Sequence, residues 1–179
     1  MCWLTGPVAE GFSPMRLHVE TDRLLLTPQE AHDAPWLAEL YTARGIGTVT
    51  EQDALAKVAT MTETIRTTGI GALALRVKPD LDPIGYAALV VGRATLEEPE
   101  LAYELLPRAH GQGYATEAAT AVLDAAFDTG RARVWSTVGT WNTPSLRVLE
   151  KLGFDRHHVS TERLRTGELG EVVWLVRER

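Results

Sequence analysis

The stretch Leu105 to Phe127, LLPRAHGQGYATEAATAVLDAAF, runs from the end of an apolar strand through a glycine-punctuated turn into a long helix. Beyond Gly130, a natural helix stop, RVWSTV at Arg133 to Val138 reads as another strand. A strand, helix and strand in succession form a crossover, and a crossover makes its two strands parallel. Ala115, Ala118, Ala119, Val122 and Ala126 recur at helical spacing from Tyr114 onward. Gly111 and Gly113 flank Gln112 where the backbone bends, so the turn opens at a helix N-terminus. The first amides of such an end lack intrahelical partners and the macrodipole is positive there, so amides from Gln112 to Thr116 can converge on an anion such as phosphate or pyrophosphate. Either glycine is equally an ordinary turn residue, and the spacing alone does not choose.

The remaining connections predict a different pairing. LHVETDRLLL from Leu17 gives one or two extended segments, with Arg23 to Thr27 the stronger. Asp33, Ala34, Pro35 and Trp36 read as a capped helix start, with Trp36, Leu37, Leu40 and Tyr41 on one face. RGIGTVT at Arg44 to Thr50 breaks this helix, and Glu51 to Thr67 carries a second, with Leu55, Val58, Ala59, Thr62 and Ile65 inward. Strands follow at Gly71 to Val77, at Ile84 to Val91, apolar enough to be covered on both faces, and at Glu100 to Leu106. Short turns join them, so they are antiparallel. Asn142 caps a short helix closed by Gly153, a strand begins at Phe154, Ser160 to Gly170 is a polar hairpin region, and Glu171 to Val176 closes the chain. We expect one α+β domain over residues 16–179, with residues 1–15 a flexible leader or surface strap.

In ELAYELL a period of two places Leu101, Tyr103 and Leu105 on one face and Glu100, Ala102 and Glu104 on the other. Two carboxylates thus lie side by side on the strand entering the turn. They form a solvated face, or one of them is a general base with a pKa raised by partial burial.

Composition excludes several classes. Cys2 is the lone cysteine, so no intrachain disulfide or cysteine metal site is available, and the five histidines lack HExxH spacing, so no metal is expected. A net charge of −6 argues against broad nucleic-acid binding and mildly favours cationic partners such as amines. No apolar run approaches the ~18 residues of a membrane span, and a secretory signal is not evident, so a cytoplasmic protein is expected.

PELAYELLPRAHGQGYATEA, followed after a helix and a strand by NTPSLRVLEKLGF, resembles the GNAT superfamily of acyl-CoA-dependent N-acyltransferases, and within it the branch of the ribosomal-protein N-terminal acetyltransferases. Arg108, Gly111 and Gly113 match the family's Q/R-x-x-G-x-G/A pattern, and Lys151 to Phe154 its KLGF close; ETDRLLL and the element order extend the resemblance over Leu17 to Arg179. It implies a mostly antiparallel sheet splayed at two parallel strands with helices on both faces.

The same resemblance implies acetyl-CoA as cosubstrate. Its pyrophosphate would lie on the backbone of Arg108, Gly111, Gln112, Gly113, Tyr114 and Ala115, with the Thr116 hydroxyl, and its pantetheine arm would pair with Leu105 and Leu106 in the splay. Asn142 matches a cofactor-contacting Asn. The implied reaction is direct attack by a primary amine, of a protein N-terminus, amino acid or small molecule, with Glu100 as base and Ser145 donating to the leaving sulfur. Many relatives carry a general-acid Tyr seven residues after that Asn, where this chain has Leu149; Ser145, Tyr103 or water then remain. Trp135 and Trp141 line the pocket or pack in the core, and His110 faces solvent. Relatives often pair, so a homodimer is compatible. The competing class is an acyl-CoA-binding sensor without turnover. A nucleotide-binding turn is disfavoured, since the chain lacks both P-loop spacing and the third glycine of a dinucleotide fingerprint.

Overall fold

The computed structural model describes residues 11–164 and 166–179. Its strands are β1 (Val19–Glu20), β2 (Leu24–Pro28), β3 (Ala72–Val77), β4 (Asp82–Val90), β5 (Glu100–Leu105), β6 (Arg133–Gly139), β7 (Asp155–Arg163) and β8 (Leu169–Glu178). They form one sheet in the order β1-β2-β3-β4-β5-β6-β8-β7. Every neighbouring pair is antiparallel except β5 with β6, the parallel pair that the crossover requires.

Helices α1 (Ala34–Thr42) and α2 (Glu51–Thr68) cover one face of the sheet, bringing Leu37, Leu40, Ala54 and Val58 against Ala72, Ala74, Tyr86 and Ala88. On the other face α3 (Tyr114–Asp128) sets Ala118, Ala119, Val122 and Ala126 into a core with Leu73, Leu75, Ala87, Leu89 and Leu101. The short helix α4 (Thr143–Lys151) joins that core through Leu149. Covered from both sides, Ile84 to Leu89 are all buried, as the unbroken apolar run requires.

Two local readings change. The inward line of α2 runs through Ala54, Val58, Met61 and Ile65, while Ala59 and Thr62 face solvent, because the helix rests on the small residues of β3 and β4 along a line shifted by one position. Asp33 makes no side-chain cap to α1. Its fully buried carboxylate instead accepts from Trp36 Nε1 at 2.8 Å, Arg76 Nη2 at 2.5 Å and the Glu30 amide at 2.9 Å. The polar hairpin expected at Ser160 to Gly170 is the end of β7 and the start of β8, which pair antiparallel from Asp155 with Val176 to Arg163 with Leu169. An exposed edge strand has no apolar period to read, and β7 is exposed along most of its length. Of the expected leader, residues 1–10 lie outside the described residues, whereas Ser13 and Met15 donate backbone bonds to Thr129 and Gly69 and Met15 is buried.

Candidate functional site

The turn ahead of α3 takes the shape its glycines allow. Gly111 has φ +75° and Gly113 φ +82°, both in the left-handed region where a Cβ is strained. A Cβ built on Gly111 meets no protein atom within 4 Å, so the space before the turn is open. From the bend just before β2, Arg23 braces it: Nη1 donates to the Gln112 carbonyl at 2.9 Å, the guanidinium lies 4.6 Å from the Tyr114 ring centroid, and Nη2 pairs with Glu117 at 2.6 Å. Glu117 also accepts from the Arg23 amide at 2.9 Å and the Thr21 hydroxyl at 2.5 Å. Burial pushes the Glu117 pKa up, and these donors more than offset it, leaving the carboxyl below its ordinary value. Arg108 turns its guanidinium away, to Glu39 at 3.2 Å and the Pro83 carbonyl at 2.9 Å, so only its backbone belongs to the turn.

Beside the turn the sheet opens. β5 and β6 share one register pair, Glu100 with Trp135, held by Trp135 N–H to the Pro99 carbonyl at 2.8 Å and Ser136 Oγ to the Leu101 carbonyl at 3.0 Å. The Leu106 N–H donates to the Ile84 carbonyl at 2.8 Å. Because backbone groups alternate in direction along an antiparallel strand, those of Leu101, Tyr103 and Leu105 point into the gap. The Leu106 N–H is thus engaged by β4, while the backbone of Tyr103 and Leu105 faces the gap. His110 is exposed, as expected, and its ring Nε2–H donates to the Leu105 carbonyl at 2.9 Å, leaving that oxygen one lone pair.

Across the gap, Asn142 Oδ1 accepts from the Ser145 amide at 3.2 Å and so caps α4. The Ser145 hydroxyl meets the Tyr103 hydroxyl at 2.9 Å, and Tyr103 also donates to the Ser145 carbonyl at 3.1 Å. Burial pushes the Tyr103 pKa from 10.0 up to about 12, the Ser145 contact pulling weakly the other way. Leu149 is fully buried in the core.

Neither carboxylate of β5 forms a merely solvated face. Glu100 is 6% exposed and accepts from the Arg93 amide and, at 2.9 Å, from Thr137 Oγ1. A Cβ on Gly92 would stand 2.7 Å from the Glu100 carboxyl carbon, so glycine makes room for it. Glu104 is gripped in bidentate fashion by Arg44, with Nε–Oε1 at 2.8 Å and Nη2–Oε2 at 2.5 Å, and accepts from the Tyr86 hydroxyl at 3.1 Å. Trp135 places its Nε1 2.8 Å from Glu98, whereas Trp141, between the end of β6 and the Asn142 cap, is 73% exposed and no part of the core. Arg23, Arg44, Thr137 and His110 were beyond sequence reasoning, because each acts on a partner distant in the chain or on backbone.

Among the described residues no group of three or more His, Cys, Asp or Glu is arranged to hold a metal ion, and no helix is long and apolar enough to cross a membrane. No protein with a curated description matches the sequence significantly. Solved structures do match in fold. A GNAT-family acetyltransferase from Bacillus anthracis has a TM-score of 0.76 at 22% identity, over 90% of this chain and 98% of its own. The ribosomal-protein-S5-alanine acetyltransferase from Vibrio fischeri has 0.77 at 15%, over 91% and 97%. The microcin C7 self-immunity acetyltransferase MccE, in complex with acetyl-CoA and AMP, has 0.77 at 14%, over 89% and 94%. A family model described as acetyltransferase (GNAT) domain matches residues 23–155, from the arginine that braces the turn to the first residue of β7. With the splayed parallel pair and the glycine turn in their expected places, the chain belongs to the GNAT acetyltransferase family.

Proposed function

We propose that this protein is a cytoplasmic N-acetyltransferase that moves an acetyl group from acetyl-CoA directly to a primary amine. The observation that carries the reading is the parting of β5 from β6 after Glu100 and Trp135, next to an open turn of positive-φ glycines at the head of α3. A gap where β5 backbone has no strand partner in β6 suits an extended pantetheine arm, and the turn suits its pyrophosphate.

In this reading the amides from Gln112 to Thr116 hold the pyrophosphate, helped by the Thr116 hydroxyl, and the backbone of Tyr103 and Leu105 aligns the arm and polarises the acyl carbonyl. Such donors stabilise developing negative charge by about 3 kcal/mol each. The bound cosubstrate supplies the acyl group and a thiol leaving group. Glu100, at the last paired point of β5, accepts the proton of the attacking amine; two donors occupy its oxygens in the fold, and a carboxylate has about four acceptor sites. Ser145 donates to the departing sulfur, and Asn142 sets its position by capping α4. With a pKa of about 12 against ~8.5 for an ordinary thiol, Tyr103 keeps its own proton and orients Ser145.

One observation favours a second reading, binding without turnover: Leu149 is buried where many relatives carry a catalytic Tyr. Calorimetry of coenzyme A against wild type and Gly113→Val tests the cosubstrate site common to both. A valine at φ +82° forces the turn to rearrange, so affinity falls at least about tenfold; undiminished affinity removes the turn from the site.

A further inference from the structure

Glu100 is the destination of the amine proton in the proposed reaction, yet the fold closes the direct way to it. The residue is buried, and both of its carboxylate oxygens are engaged. Oε1 accepts from the Arg93 amide, under a loop so close that a Cβ on Gly92 would stand 2.7 Å from that oxygen. Oε2 accepts from Thr137 Oγ1 at 2.9 Å. One oxygen therefore lies beneath the connection from β4 to β5, and the other lies behind a hydroxyl.

Thr137 is the accessible end of this pair. β5 and β6 run parallel and pair only at Glu100 with Trp135. Two residues past Trp135 on the same face of β6, Thr137 is the first side chain of that face beyond the point where the strands part. Its neighbours Ser136 and Val138 are buried on the opposite face, whereas Thr137 is half-buried. A group entering the gap meets the Thr137 hydroxyl before it meets the carboxylate.

The directions of the hydrogen bonds prepare that hydroxyl to pass a proton. Arg93 Nη1 lies 3.0 Å from Thr137 Oγ1, and a guanidinium only donates. An ionised carboxylate only accepts, so the hydroxyl hydrogen belongs to the bond with Glu100. A hydroxyl oxygen carries two lone pairs, of which Arg93 takes one. Among the described residues nothing else donates to the second, and an amine N–H is a donor of the kind it accepts. Arg93 thus fixes the direction of the hydroxyl, and Glu100 draws its proton.

We propose that Thr137 is a catalytic proton relay. As the amine nitrogen bonds to the acyl carbon, an N–H proton passes to Thr137 Oγ1 while the Thr137 hydroxyl proton passes to Glu100 Oε2. The hydroxyl is regenerated, the carboxylate becomes a carboxylic acid, and the electron pair of the C–S bond leaves on sulfur. This rests on the reading of Glu100 as the base, and the test separates the two. Phenethylamine, alanine, trialanine and spermidine are offered with acetyl-CoA, and the one acetylated fastest is followed in single turnovers. The proteins are wild type, Thr137→Val, Thr137→Ser, Glu100→Gln and the Glu100→Gln/Thr137→Val double variant. Valine keeps the shape and removes the hydroxyl, so the rate should fall about 100-fold with the affinity for coenzyme A unchanged. It should add nothing to the loss in Glu100→Gln, and serine should stay within about threefold of wild type. In mixtures of light and heavy water the wild-type rate should curve, as two moving protons require. Arg93→Leu, at an exposed position, stands in if the valine variant fails to fold; it frees the hydroxyl to turn and should slow the reaction about tenfold. Full rate in Thr137→Val or Arg93→Leu while Glu100→Gln is slow, a serine variant as slow as valine, losses that multiply in the double variant, or a linear dependence on heavy water each overturns the relay and leaves the base standing. Full rate in Glu100→Gln removes the base and the relay with it, and no acetylation of any of the four amines removes both along with the acetyltransferase reading.

Discussion

The hydroxyls of Tyr103 and Ser145 meet at 2.9 Å across a gap in which β5 and β6 no longer pair, joining the strand that lines the gap to the helix that faces it. Burial raises the folded-state pKa of Tyr103 to about 12 from its ordinary 10.0. In the interval between these values the unfolded chain has lost the proton and the folded chain keeps it. The stabilisation is therefore complete below about pH 10 and is lost as pH rises through about 12, by roughly 2–3 kcal/mol in all. Denaturant unfolding at about pH 9 and about pH 11 should show this loss in wild type and a smaller one in Tyr103→Phe; equal slopes would place Tyr103 in solvent.

Removing the charge of Glu117 should loosen the turn from below. Glu117→Gln keeps the shape but weakens charge-assisted bonds from Thr21 and Arg23, at a cost of about 2 kcal/mol. The native carboxyl titrates below its ordinary value, so its stabilisation is present above the unfolded pKa and lost as pH falls through the folded one. Urea unfolding across the acid range should therefore give a flatter profile for the variant, and calorimetry about tenfold weaker binding of coenzyme A. Wild-type affinity with lowered stability would make Arg23 and Glu117 a fold clamp without influence on the turn.

Glu100→Gln tests the base. Glutamine still offers an oxygen to the Arg93 amide, so the loop below β5 should hold. With an accepted amine, kcat should fall about 100-fold or more, and the rise of rate with pH should move toward the pKa of the free amine. Full kcat at every pH excludes Glu100 as the base, and Glu104→Gln is then the comparison to make.

What could be read in the chain was what local pattern determines. The parallel pair followed from a strand, a helix and a strand in succession, and the turn from Gly111 and Gly113. Alternation along ELAYELL placed Glu100 and Glu104 on one face, but their partners, Thr137 and Arg44, lie 37 and 60 residues away, and no period encodes such a pairing. Asp33 read as a cap because capping is local, while its bond to Arg76 crosses from the start of α1 to β3. Leu106 stands beside Leu105 in the gap only by resemblance, and a resemblance carries no strand direction; the bond from Leu106 N–H to Ile84 turns it toward β4.

The central claim is that the gap between β5 and β6 delivers an acyl group to an amine. Thiol release from acetyl-CoA, followed with a thiol-reactive dye in the presence and absence of each member of a panel of primary amines and paired with mass detection of the product, tests it most directly. The account predicts amine-dependent thiol release matched one for one by N-acetylated amine. Tight binding of acetyl-CoA with no release of thiol across a panel of apolar monoamines, amino acids, peptides and polyamines would contradict it and leave a binding domain in its place.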